Sequence, residues 1–192
     1  MTVISPKVCE YLETLPLGSH GIICYDTDDE LVQVFSSYLK GALERNEAFR
    51  LIAPTQNAHA NILRRADLDA ELLKGDERVR LWPMTELFAR TEGNPLDMGS
   101  VTRSIRKLGQ DSIRRFKGTR VISLSEHYLD YTSPDNLLRL ENELGRTFDL
   151  PLSVICTYDG PELIKRGLGE VMLGLFRHHG RIIGKELTLD NL

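Results

Sequence analysis

Cysteine is scarce in this chain. The three present, Cys9, Cys24 and Cys156, form an odd set without a CxxC pair, which argues against a disulfide framework or a four-cysteine zinc site. Reduced thiols in a cytoplasmic setting are the expectation. Charge of one sign is also missing: 24 Lys and Arg stand against 28 Asp and Glu, a formal charge of −4, too mild to demand a nucleic-acid or membrane partner. The first residues, Met1 to Gly18, carry Pro6, Glu10, Glu13 and Pro16 where a leader or a spanning segment would need a basic start and an apolar run. No Walker-type phosphate loop, no Gly-x-Ser-x-Gly elbow and no HExxH occurs. ATPase, hydrolase and zincin chemistry therefore lack their working parts.

What is there alternates. At 192 residues the chain suits one domain with a single core. His20 to Tyr25 reads as a short buried strand, and Thr27 with Glu30 makes a capping box. The helix that follows is apolar at Leu31, Val34, Phe35, Tyr38, Leu39, Ala42 and Leu43, a spacing that packs one face on a sheet; Asn46 ends it. Phe49 to Ala53, Val79 to Trp82, Arg120 to Leu124 and Leu152 to Tyr158 read as further strands. Between them helices are expected from Gln56 through Leu73, from an Asp97 cap to Phe116, from Ser133-Pro134 to Phe148, and from Leu168 to His179. Thr85 to Pro95, with Gly93-Asn94-Pro95, reads as an exposed loop or lid. Successive βαβ units predict an α/β fold, a doubly wound and largely parallel sheet with helices on both faces.

In such a sheet, ligands sit beyond the carboxyl ends of the strands. That rule selects Tyr25, Asp26 and Thr27, then Ser125, Glu126 and His127, then Thr157, Tyr158 and Asp159. The first turn, Tyr25 to Asp29, has neither the glycines nor the lysine of a phosphate site; Asp26, Asp28 and Asp29 would repel a triphosphate and suit a helix N-terminus. Glu126 and His127 read as a base and its neighbour, as ligands to a divalent metal shared with Asp26 or Asp159, or simply as a strand-end carboxylate satisfying backbone N–H groups. His20 and His179 fall at the opposite edge, away from the Glu126 rim. Spacing suggests no further donors for them, so a structural role is expected and no metal site. Cys156, inside Leu-Ser-Val-Ile-Cys, reads as a small buried hydrophobe. Arg103, Arg106, Lys107, Arg114, Arg115 and Lys117 make residues 97–117 a basic helix, either a solvated face or a protein interaction surface.

Several of these residues fall in an order that resembles the MEDS family, sensory domains named from methanogens, methylotrophs and the DcmR regulator. The matching pieces are Gly18-Ser-His20 with Tyr25-Asp26, the helix ending Gly41-Ala-Leu43-Glu-Arg-Asn-Glu47, Arg120 through Ser125-Glu126, Cys156-Thr-Tyr158-Asp159, and His179. They span roughly Leu17 to Ile183. The resemblance implies a RecA- or KaiC-like core without Walker motifs that acts as a non-enzymatic input domain for small organic compounds in regulation or signal transduction. By matching positions it singles out His20, Tyr25, Glu47, Glu126, Cys156, Tyr158 and His179. Ile22 stands where the family often has a cysteine, and Cys24 faces the same side by strand alternation. The expected ligand site is Tyr25, Asp26, Glu126, Cys156 and Tyr158, with His20 and His179 as a second cluster and no cofactor. A small organic ligand is the expected partner, with a signalling protein or a second copy of the chain as further partners. The alternative is a degenerate nucleotide- or divalent-metal-binding protein.

Overall fold

Five of the helices start on a hydroxyl or carboxylate that accepts a hydrogen bond from the third residue onward. Ser5 takes the N–H of Val8, Thr27 that of Glu30, Thr55 that of Ala58, Ser133 that of Asn136 and Asp159 that of Glu162. Each cap turns the chain out of an extended run and satisfies one orphan donor of the helix it starts. The computed structural model describes residues 4–68, 75–89, 98–186 and 188–190. Along them run α1 (Pro6–Thr14), β1 (His20–Tyr25), α2 (Asp28–Glu44), β2 (Ala48–Ala53), α3 (Gln56–Arg65), β3 (Val79–Pro83), α4 (Met84–Ala89) and α5 (Met98–Ser112). There follow β4 (Thr119–Leu124), a 3₁₀ helix (Ser125–Asp130), α6 (Pro134–Leu144), β5 (Leu152–Asp159), α7 (Gly160–Lys165), α8 (Gly169–His178), β6 (Arg181–Ile183) and β7 (Thr188–Asp190).

The strands form one sheet in the order β3-β2-β4-β5-β1-β6-β7. All pairs are parallel except β6 with β7. The doubly wound expectation holds: Arg120 and Ser153 point to the face covered by α1 and α2, while the alternate residues point toward α5 and α6. The register decides what can meet. His20 lies opposite Val154, Ile22 opposite Cys156 and Cys24 opposite Tyr158, so these six share one face, and Tyr25 and Asp159 share the other.

Several elements escaped the sequence reading. Helix α1 packs on α2, and its last carbonyls, from Leu12, Glu13 and Leu15, accept hydrogen bonds from the buried Arg120 guanidinium. Those are the orphan acceptors of a helix end. Thr85 to Ala89 belongs to α4, not to a loop, while Gly93-Asn94-Pro95 and the Asp97 cap lie outside the described residues. Helix α3 stops at Arg65, and Asp67 has a positive φ of 52°; residues 69–73 of the expected helix lie outside the described residues. The basic helix ends at Ser112, so Arg114, Arg115 and Lys117 sit in the turn beyond it. Asn46 does end α2, at φ 56°, in the left-handed region that asparagine tolerates. No helix among the described residues is long and apolar enough to cross a membrane.

Candidate functional site

Two connections leave the sheet in opposite directions from adjacent strands. From β1 the chain passes through α2 to β2 on one side, and from β5 through α7 and α8 to β6 on the other. The crevice between the ends of β1 and β5 is therefore the switch point where ligands of α/β folds bind. Tyr25, Asp26, Asp159 and Gly160 border it: a Cβ on Gly160 would stand 3.4 Å from Asp26 Oδ1 and 3.5 Å from the Tyr25 carbonyl.

The acidic turn at this rim is occupied by the protein's own lysine. Lys185 Nζ donates to Asp26 Oδ2 at 2.5 Å and to Glu30 Oε1 at 2.8 Å. Glu30 Oε2 accepts the Asp26 backbone N–H at 2.7 Å, so Glu30 reaches one residue further back than a capping box would. Asp28 and Asp29 both pair with Arg65, and Asp159 caps α7. Asp26 and Asp159, two of the carboxylates that the sequence offered to a divalent metal, thus each have another partner.

Glu126 sits on the 3₁₀ helix after β4, buried, and accepts the Tyr25 hydroxyl at 2.8 Å. Its other oxygen, Oε2, is buried without a hydrogen-bond partner. Burial pushes its carboxyl up to about 7, against the lowering influence of His127 and the Tyr25 hydrogen bond. His127 itself is half-exposed, 3.5 Å from Glu126 Oε1 and 3.1 Å from Asp130 Oδ2. Burial also pushes the Cys24 thiol up to about 12, with Asp26 and Glu126 adding to the effect, so it is no ready nucleophile.

Cys156 and Tyr158 do not join this rim. Strand alternation turns them to the other face, where Tyr158 donates to Glu141 Oε1 at 2.6 Å and Cys156 Sγ lies 3.5 Å from His20 Nε2 and 3.8 Å from Glu141 Oε2. His179 completes the group, its Nε2 3.4 Å from the same Glu141 Oε2 that His20 Nε2 approaches at 3.3 Å. The sequence reading thus needs two corrections. The expected ligand set divides, with Tyr25, Asp26 and Glu126 on one side and Cys156 and Tyr158 on the other. His20 and His179 do have further donors, Glu141 and Cys156, and all four ligand atoms lie within 4.8 Å of one another.

Glu141 was the missed residue. It stands with Leu137, Leu140 and Leu144 at i, i+3, i+4 and i+7 of α6, so the apolar stripe itself marks it as a buried carboxylate that must have a partner. Lys185 carried no signal, because it meets Asp26 across 159 residues of sequence. Glu47, matched by resemblance, forms a buried ion pair with Arg120 at 2.5 Å and belongs to neither group. Of the basic positions, Arg106 donates to the Leu144 carbonyl and Arg115 pairs with Glu77.

The fold and rim define a class, a largely parallel α/β domain whose switch-point turn is acidic and lysine-filled, where a phosphate-binding loop would present glycine N–H groups. Within that class, the chain belongs to the MEDS family, the MEthanogen/methylotroph, DcmR Sensory domain, whose model matches residues 19–179. It is accordingly a sensory-type domain. A crystal structure of an uncharacterized protein from Pyrococcus horikoshii, in complex with an unknown peptide, is similar with a TM-score of 0.62 and 13% identity, covering 88% of this chain and 77% of that one. At that identity the likeness concerns the fold. No curated protein matches the chain.

Proposed function

We propose that this chain is a non-enzymatic input domain that senses a small organic compound at the β1–β5 rim and passes the signal to a regulatory partner. The observation that carries the reading is the Lys185 bridge. A lysine held by Asp26 and Glu30 fills the turn where a triphosphate would need free N–H groups and a lysine of its own. The buried Tyr25–Glu126 pair beside it supplies what a small polar organic molecule needs: a hydroxyl, a carboxyl near neutrality and an oxygen with no protein partner. Membership of a sensory family supports the same reading. Binding that favours one rim conformation over another would transmit the signal.

A thermal-shift panel of nucleotides with and without magnesium, alongside small alcohols, amines and carboxylic acids, tests this. A ligand that binds only the folded chain raises its melting temperature. The expected result is stabilisation by an organic compound, reduced in Glu126→Gln and Tyr25→Phe. Stabilisation by a nucleotide that requires magnesium would overturn the reading.

A further inference from the structure

We propose that His20, Glu141, Cys156 and His179 bind one zinc ion in a closed tetrahedral site. The inference is independent of the rim reading, since it concerns the other face of the sheet.

The hydrogen bonds fix both imidazoles in the ligand form. His20 Nδ1 lies 2.6 Å from the Gly145 carbonyl and His179 Nδ1 2.7 Å from the Leu175 carbonyl. A carbonyl only accepts, so both Nδ1 atoms carry the hydrogen. In the neutral rings Nε2 is then a lone pair, and both Nε2 atoms lie beside Glu141 Oε2, at 3.3 and 3.4 Å. Two lone pairs crowded beside a carboxylate oxygen repel unless something positive lies among them. A single proton can serve only one of the two rings. His179 Nε2 is buried with no hydrogen-bond donor or acceptor. A divalent cation satisfies all the lone pairs at once.

The spacing fits zinc. With Zn–N and Zn–O of about 2.0–2.1 Å and Zn–S of about 2.3 Å, a tetrahedron has N···O edges of about 3.3–3.4 Å and N···S edges of about 3.5 Å. The two N···O separations are 3.3 and 3.4 Å and the His20–Cys156 separation is 3.5 Å; the Cys156–Glu141 separation, 3.8 Å, is a few tenths wider. Charge also balances. On binding, the zinc sheds its hydration waters, the Cys156 Sγ–H proton leaves to solvent as the Zn–S bond forms, and thiolate plus carboxylate neutralise the ion. A neutral cluster is what an interior this dry requires, every ligand being at most 3% exposed.

The groups behind the ligands are those a metal site uses to orient them. Two carbonyls hold the imidazoles, and the Tyr158 hydroxyl holds Glu141 Oε1, leaving Oε2 to the metal. One sulfur, two imidazoles and a single carboxylate oxygen suit zinc over magnesium or calcium, which take oxygen ligands. Four protein ligands leave no open position, so the ion is a clamp joining the start of β1, the middle of β5, α6 and the end of α8.

The test is elemental analysis of the whole chain purified with zinc in the medium and dialysed against buffer, followed by titration of the metal-free protein with Co(II). We expect one zinc per chain, the intense visible bands of tetrahedral Co(II), and a thiolate-to-cobalt charge-transfer band. Cys156→Ser removes the charge-transfer band and weakens zinc binding at least about tenfold. Cys24→Ser and Cys9→Ser keep both, and His179→Gln loses the tetrahedral bands. Should His179→Gln fail to fold, the near-isosteric Cys156→Ser decides the matter alone. A folded wild-type chain that retains well under one zinc and gives only octahedral Co(II) bands overturns the proposal, as does a charge-transfer band that survives in Cys156→Ser. Neither result touches the rim, whose test reads organic ligands.

Discussion

Tyr158 donates its phenolic hydrogen to Glu141 at 2.6 Å, and both residues are at most 1% exposed. The pair ties the C-terminal half of β5 to α6. Burial alone would raise the Glu141 carboxyl, but the neighbouring His179 and His20 and the Tyr158 hydrogen bond hold it well down, to about 2. Tyr158→Phe keeps the ring and deletes only the donor, leaving a buried carboxylate oxygen without its partner. A hydrogen bond to a charged group contributes about 1.5–3 kcal/mol. Urea unfolding should show a loss in that range, with the slope unchanged. A loss below about 0.5 kcal/mol would mean that Glu141 Oε1 has found another donor.

Glu126 gives the chain a pH dependence of opposite sign to that of an ordinary salt-bridged carboxylate. Its folded pKa, about 7, lies above the ordinary carboxyl value of 4.5, so between these values the folded chain holds a proton that the unfolded chain has released. The stability from this group is full below about pH 4.5, declines as pH rises through 7 and is absent above. That separation corresponds to roughly 3 kcal/mol as an upper figure. Glu126→Gln removes the titration, so the variant should gain on wild type by up to that amount between pH 5 and pH 8. Parallel stability curves for the two proteins across this range would show that Glu126 is ionised in the folded state throughout.

Arg120 and Glu47 form a buried ion pair. The guanidinium is fully buried, lies 4.9 Å above the Tyr38 ring and bonds Glu47 together with the three carbonyls that end α1. Removing one partner of a buried pair strands the other charge, at a cost of about 3–5 kcal/mol. Glu47→Ala should lose stability in that range by chemical denaturation. The double variant Glu47→Leu with Arg120→Met should lose distinctly less than the sum of the two single changes. Additive losses would indicate that the two charges do not interact.

What the sequence made legible follows a physical divide. Local signals were sufficient for β1 to β5 and for α2, α6 and α8, because capping residues and apolar periodicity act within a few positions. Strand alternation also contained the information that Cys156 belongs with His20, but only once the register of β1 against β5 is known, and register is a long-range property. Glu141 was readable as a carboxylate on a buried stripe, yet not as the partner of two histidines, one of them 121 residues away in the register of a different strand. Lys185 and α1 act through tertiary contacts alone: a lysine that returns to the first turn, and a helix whose carbonyls find an arginine more than 100 residues later. The family resemblance pointed to residues that pack together, His20, Cys156 and His179 among them, because it carries the outcome of the packing, though not its geometry.

Gly41 offers a test of how α1 is held. A Cβ there would stand 2.2 Å from the Glu13 carbonyl oxygen, 2.7 Å from Glu13 Cα and 2.8 Å from Arg120 Nη1. Two of these neighbours are backbone, so the added methyl must move α1 away from α2, and with it the carbonyls that receive Arg120. Alanine in mid-helix favours α2 by up to about 1 kcal/mol over glycine, whereas overpacking costs about 1–3 kcal/mol; the steric effect should win, because the obstacle is main chain. Gly169, the first residue of α8, has nothing within 4 Å of the same position. Gly169→Ala should therefore be neutral or slightly stabilising, while Gly41→Ala lowers the denaturation midpoint. Equal midpoints for the two variants would show that α1 rests on α2 loosely enough to shift at no cost, and that the Arg120 contacts do not fix its position.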